Sequence, residues 1–265
     1  MNSVQSNERT GDRSVAVVRV ADTQWHAVEN DRVVGRGDAS HRPDGRLFVS
    51  VDAWHGPVFD RIAAALVADL PAPLYTVVDE ADDESTTAWQ RAGFAVGRRE
   101  WGYLVPTDPE VTGLGPVRPP TGTTVVPAGA VEEAPLRALD RVVREEVEAG
   151  AGWRTMPAEV LPRPAWYTPA DPSQYVAARE SDRYVGLVRV APLPRQPRIG
   201  LIAVRGDRQR RGVARALLAH VLGSLHDRGT ASAWAEVDET NTAATALFGG
   251  IGARRAGATL ELVRR

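Results

Sequence analysis

Gln209-Arg210-Arg211-Gly212-Val213-Ala214 lies between two different hydrophobic patterns. Before it, residues 199–204 read as a short buried strand. After it, residues 213–226 set Val213, Leu217, Val221 and Leu225 at helical spacing. A strand, a basic glycine-containing turn and a helix N-terminus together suit a pyrophosphate. The first helical turn leaves backbone N–H groups without partners, and the macrodipole favours an anion there. Small residues at 212 and 214 let a ligand approach the backbone, and Arg210, Arg211 and Arg215 add positive charge. The other reading of the same residues is a solvated arginine-rich turn opening an ordinary helix.

The downstream residues extend the pattern. Residues 231–237 read as a strand, Asp238-Glu239-Thr240-Asn241 as a polar cap, and 242–248 as a short helix followed by Gly249-Gly250-Ile251-Gly252. Residues 256–263 alternate weakly, as a closing strand would. Upstream, 174–191 read as two strands around a Ser181-Asp182-Arg183 turn, with Gly186 just inside the second.

The order Q/R-x-x-G-x-G/A, strand, then Asn241, Ala244, Leu247, Phe248 and Gly252 resembles the GNAT superfamily of N-acetyltransferases. The resemblance covers about residues 122–265. It implies an α/β fold with a mixed sheet and acetyl-CoA as co-substrate. It also implies backbone contacts to the pantetheine arm from Ile202, Ala203 and Val204. The pyrophosphate would then fall to Gln209, Arg210, Arg211, Gly212, Val213, Ala214 and Arg215. Asn241 and Phe248 would face the cofactor from the short helix.

Composition narrows the function class. The chain has 265 residues, enough for one large domain or two small ones. Net charge is −2, which argues against a nucleic-acid partner. Every basic residue is arginine. There is no cysteine, so disulfides, a thiol nucleophile and cysteine-based zinc sites are excluded. His26, His41, His55, His220 and His226 show no metal-ligand spacing, so no metal is expected. Residues 1–14 read as a polar, frayed terminus. No run approaches the length of a membrane span, and no signal-peptide core is evident. These features predict a cytoplasmic protein without a membrane partner, a monomer or homodimer.

The first half echoes the second. Residues 27–35, AVENDRVVG, align with 178–186, ARESDRYVG, at an offset of 151. Asp82, Ser85, Ala88, Trp89 and Gly93 align with Asn241, Ala244, Leu247, Phe248 and Gly252 at an offset of 159. Residues 48–51 then match the central strand and 57–70 the long helix. The expectation is two GNAT-like domains, the first truncated and degenerate at 15–106, the second at 122–265. Residues 107–121, rich in proline and glycine, read as a linker. In the first copy the turn is Asp52-Ala53-Trp54-His55-Gly56-Pro57. It lacks the motif and puts a carboxylate where a pyrophosphate needs cations, so no CoA is expected there.

Amide-forming acyl transfer needs a neutral amine, a polarised thioester carbonyl and a leaving thiolate. Deprotonating a lysine-like amine at pH 7 costs roughly 4.6 kcal/mol, so a base or water chain is expected for a simple amine. The family often has a Glu at the start of the fourth strand; here the residues are Arg198-Ile199-Gly200. By location Glu236 and Asp238 are the catalytic candidates, with solvated or capping carboxylates as the other reading. The family's tyrosine acid is replaced by Phe248. A thiol's pKa of about 8.5 makes its thiolate a tolerable leaving group without that acid. Acceptor recognition is expected at 131–166, where Glu145, Glu148 and Trp153 suit a cationic amine. A solvated helix face followed by a turn is the alternative. The function these features imply is acetyl-CoA-dependent N-acetylation of a small-molecule or peptide amine. A non-catalytic acyl-CoA-binding module is the rival.

Overall fold

The computed structural model describes residues 15–42, 45–150, 171–193 and 196–265. The chain folds into two compact units, the first from residues up to 76, 82–95 and 262–265, the second from 77–81 and 96–261. The fold is mixed α/β, with parallel and antiparallel pairs in its sheet.

Unit 1 runs β1 (Ala16–Ala21), β2 (Gln24–Glu29), β3 (Arg32–His41), β4 (Leu47–Ala53), α1 (Gly56–Asp69), β5 (Leu74–Asp79, through Thr76) and α2 (Asp83–Arg91). The first four strands pair antiparallel in sequence order. β5 joins β4 in parallel, because α1 returns the chain across the sheet, and pairs only at Leu47↔Leu74 and Phe48↔Tyr75. α1 begins with a proline where no N–H partner is needed. Ile62, Ala63 and Leu66 on its inner face are fully buried, as is Leu74 on the sheet. Trp25 is also buried, and its indole N–H donates to Asp69 at 2.7 Å.

Unit 2 takes in β6 (Ala95–Pro106, from Val96 on), which lies ahead of the Pro- and Gly-rich run. Then come α3 (Pro109–Thr112), β7 (Thr123–Val126), α4 (Glu133–Ala149), β8 (Tyr175–Glu180), β9 (Arg183–Ala191) and β10 (Arg198–Val204). The chain closes with α5 (Val213–Asp227), β11 (Ser232–Asp238), α6 (Thr242–Gly249) and β12 (Arg254–Arg264). Neighbouring strands are β12-β6-β11-β10-β9-β8-β7. The expected strands around 174–191, 199–204 and 231–237, and the helices after 212 and 241, are therefore present. Within the Pro- and Gly-rich run, Leu114 is buried in the same core as α5.

Alternation along β11 assigns the two faces. Ala233, Ala235 and Val237 join Val213, Leu217 and Phe248 in the core under α5 and α6. Leu201, Leu187, Tyr175 and Ala177 pack with Leu136 and Leu139 of α4 on the opposite face.

The pairing pattern recurs between halves. Ala27 pairs with Gly35 and Val28 with Val33, across a bulge; Ala178 pairs with Gly186 and Arg179 with Tyr184, across the same bulge. Asn30 and Ser181 both have left-handed φ, 50° and 53°. A methyl on Gly35 would meet Ile62 of α1, the helix after β4, at 2.8 Å, and one on Gly186 would meet Val213 of α5, the helix after β10, at 3.0 Å. Asp82 caps α2 through Ser85 N–H, and Asn241 caps α6 through Ala244 N–H.

β6 pairs antiparallel with all of β11, from Ser232↔Pro106 to Asp238↔Glu100, and contributes buried Tyr103 and Val105 to the α5 core. Burying each of these side chains stabilises by about 1.5–3 kcal/mol. A chain starting at residue 107 should therefore be insoluble or unfolded, having lost β6 and exposed the edge of β11. A chain starting at residue 95 should recover more soluble, helical protein. Soluble yield and far-ultraviolet circular dichroism check this, and equal yields would refute it.

Candidate functional site

β10 and β11 are parallel and pair only at Arg198↔Trp234 and Ile199↔Ala235. Beyond these residues they diverge, leaving a slot lined by Gly200, Leu201, Ile202, Glu236, Val237, Asp238, Asn241, Ala244 and Phe248. The register of β10 on β9 shifts between Ile199 and Leu201, so Gly200 is the extra residue that turns β10 away. The slot lining draws on both faces of the sheet, Ala244 and Phe248 on the α6 side and Glu236 on the other.

At the C-terminal end of β10 the chain enters a 3-10 turn over Gly206–Arg208 and then the motif that precedes α5. Arg210 has φ 58° and Gly212 φ 90°, both left-handed. Gly212 is the N-cap of α5, with no side-chain cap over the first turn, and nothing lies within 4 Å of where its side chain would stand. Gln209 is a brace: its side-chain amide donates to Val204 O at 3.0 Å. Arg210 and Arg211 are exposed, and Arg215 is half-buried. Val213 is buried in the core, so only its backbone can face a ligand. Ala203 packs toward the α4 core, whereas Ile202 lines the slot.

Salt bridges shape the approach to this loop. Arg208 donates to Glu180 at 2.7 Å and also meets Asp207. The hydrogen bond from Arg208 holds the Glu180 carboxyl below the ordinary carboxylate range, and Glu180 raises the Arg208 guanidinium in turn. A depressed carboxylate stabilises the fold above its unfolded pKa, and that stabilisation is lost as pH falls through the folded value. Asp207 is lowered first by its bond from Arg205.

Glu236 and Asp238 both reach the slot, and both are held. Glu236 is paired with the Arg198 guanidinium and accepts the Trp234 indole N–H at 3.2 Å. Asp238, buried, accepts from Thr240 N–H at 2.9 Å and pairs with Arg98 at 3.2 Å. Arg98 also binds Glu100 at 2.7 Å. Asn241 caps α6 while lining the slot. Phe248 is buried and stacks on Tyr103 of β6, ring centroids 5.8 Å apart. The Tyr103 hydroxyl accepts from Arg255 at 3.2 Å.

On α4 the residue tied to the loop is Glu146, which accepts the Gly206 N–H at 2.8 Å. Glu145 and Glu148 lie on the same helix without entering the slot lining. Trp153 falls outside the described residues. Strand alternation in 232–238 already places Trp234, Glu236 and Asp238 on one face. Arg98 and Tyr103 gave no local signal for their places at the slot, since Asp238, Phe248 and Arg255 lie far along the chain. Among the described residues, no group of three or more His, Cys, Asp or Glu is placed to hold a metal. No helix among them is long and apolar enough to cross a membrane.

Residues 141–252, which contain the slot and its loop, match the model of the acetyltransferase (GNAT) family. The comparisons support the GNAT acetyltransferase family. The [ribosomal protein bS18]-alanine N-acetyltransferase of Escherichia coli (strain K12) is 49% identical over 51 residues, 19% of this chain and 34% of that protein. The Salmonella typhimurium protein of the same name is 47% identical over 51 residues, with the same coverage of each chain. The chain thus spans about a third of the length of the curated relatives it matches. Solved structures of the GNAT fold cover far more. A tandem GNAT protein from the clavulanic acid biosynthesis pathway matches with a TM-score of 0.63 at 15% identity, over 91% of this chain and 81% of that one. A GCN5-related N-acetyltransferase from Sphaerobacter thermophilus matches at 0.61 with 17% identity, over 93% and 82%. These last two likenesses establish the fold.

Gly102 of β6 lies under the Trp234 ring, where a methyl would stand 2.2 Å from Cζ2. Gly102→Ala should displace the indole that holds Glu236 and destabilise the protein by about 1–3 kcal/mol. Denaturant unfolding followed by tryptophan emission measures this, and an unchanged midpoint would show that the ring is not confined there.

Proposed function

We propose that this protein is an acetyl-CoA-dependent N-acetyltransferase that acts on a primary amine of a small molecule or peptide by direct acyl transfer. The slot between β10 and β11, opening beside the uncapped N-terminus of α5, carries this reading.

The residues present fit acetyl-CoA. Its pyrophosphate matches the first-turn N–H groups after Gly212, with Arg210, Arg211 and Arg215 nearby. Its extended arm matches the slot edges around Ile202 and Val204, whose backbone groups no longer pair with β11. When bound, acetyl-CoA supplies an acyl group activated as a thioester. Binding both reactants at one slot supplies orientation. The main-chain N–H groups of β10 next to the bulge can stabilise a developing oxyanion. Glu236, at the edge of the slot and paired with Arg198, is the base candidate by position. Asp238, buried and bound to Arg98 and Thr240, is the weaker candidate. Phe248 gives no proton, so the thiolate leaves unassisted or takes a proton from water.

A second reading is a non-catalytic acyl-CoA-binding or regulatory module. The side chain at 248 and the ion-paired state of both carboxylates favour it. The repeated register and caps of the two halves support a tandem origin with a degenerate first copy. In that copy Asp52 and the exposed Trp54 stand before α1, so unit 1 would hold no CoA. A cytoplasmic monomer or homodimer fits this reading.

Calorimetry should show one acetyl-CoA per chain, and Gly212→Glu should abolish binding. Gly212→Asn, which tolerates left-handed φ, should bind measurably. Unchanged affinity in the Glu variant would remove the cofactor assignment. A coupled assay of thiol release against polyamines, aminoglycosides, amino acids and peptides should show turnover that rises toward alkaline pH as the amine loses its proton. Tight acetyl-CoA binding with no thiol release from any acceptor would establish the second reading instead.

A further inference from the structure

The Glu236 side of the slot is not a plain acidic patch. Trp234, Glu236 and Asp238 share one face of β11, opposite the α5 core. Asp238 is occupied by Arg98 and Thr240 and is buried. Glu236 and Arg198 are different: their side chains are 21% and 26% exposed, and they form an ion pair at the edge of the slot. The Trp234 indole N–H fixes the second oxygen of Glu236. Arg189, opposite Leu201 in the ladder, brings another guanidinium to this face.

A lone ammonium arriving beside Glu236 would also meet the positive charge of Arg198. A ligand that carries a carboxylate on the same carbon as its amine avoids that repulsion. Its ammonium takes Glu236, and its carboxylate takes the fork of Arg198, which matches carboxylate geometry bidentately. One ion pair becomes two. The pair that must open is partly accessible to water, so separating it leaves neither charge fully desolvated. A peptide N-terminus offers the ammonium without the adjacent carboxylate.

We propose that the acceptor is a free α-amino acid, bound as a zwitterion across the Arg198–Glu236 pair. This rests on the reading of the protein as an N-acetyltransferase.

The test uses the full chain, acetyl-CoA, the common L-amino acids, the amide of each, and the amine lacking the carboxyl group. Thiol release gives kcat/KM for each. At least one free amino acid should exceed its own amide and amine by about 10- to 100-fold, the range expected for a charge-assisted bidentate contact. Arg198→Gln should erase that ratio through a raised KM for the free acid. Arg198→Lys, which keeps the charge but not the fork, should restore part of it. An amide or plain amine used as well as the free acid overturns the proposal while leaving the acetyltransferase intact. So does a ratio that survives Arg198→Gln. No thiol release with any acceptor, while acetyl-CoA still binds, overturns the proposal and the enzyme reading together.

Discussion

Two adjacent parallel strands that stop hydrogen-bonding after two residues are the constraint on which unit 2 depends. A buried main-chain N–H or C=O without a partner is costly. A sheet can open only where something else satisfies those groups or where solvent reaches them. Gly200 supplies the cause of the opening, since one extra residue against β9 rotates the rest of β10 out of register with β11. β6 supplies the support, since a full ladder on the other edge of β11 keeps that strand extended where β10 leaves it. The same divergence brings the last residue of β10 to the turn that launches α5.

Charge around the opening is divided by face. The motif loop offers arginines and helical N–H groups to solvent. On the α4 face, each carboxylate near the slot has a guanidinium: Glu236 with Arg198, Asp238 and Glu100 with Arg98. Buried pairs of this kind contribute little net stability, but removing one partner leaves an uncompensated charge. The Arg98 cluster is therefore a fixed part of the wall. The Arg198 pair is the more accessible one, its side chains 26% and 21% exposed.

The order of elements from β8 to β12 was legible in the sequence because each is announced locally. Periodicity marks α5, a small polar residue caps α6, and an apolar run marks β10. The repeat was legible because both copies keep the same turn between their second and third strands or between β8 and β9. The ion-pair environment of Glu236 was less legible. Its position on β11 could be read, yet the arginine that holds it comes from the preceding strand, by way of a parallel pairing that no local pattern encodes. The partnership of β6 with β11 was not legible at all. Each strand alternates well enough to pair with anything, and long-range register is decided by packing of Tyr103 against Phe248 and of Trp234 over Gly102.

The β6–β11 ladder also sets a clock. Arg99 and its partner Glu239 are 140 residues apart in sequence. At about 5–20 residues per second of synthesis, β6 leaves the ribosome roughly 7–28 s before β11 exists to receive it. Throughout that interval its apolar side chains and both ladder edges must wait, because β12 comes later still, far longer than the microseconds in which hairpins close. Unit 2 cannot close its sheet until β11 and β12 have been made, and an elongation pause before them lengthens the exposure of an unpaired strand.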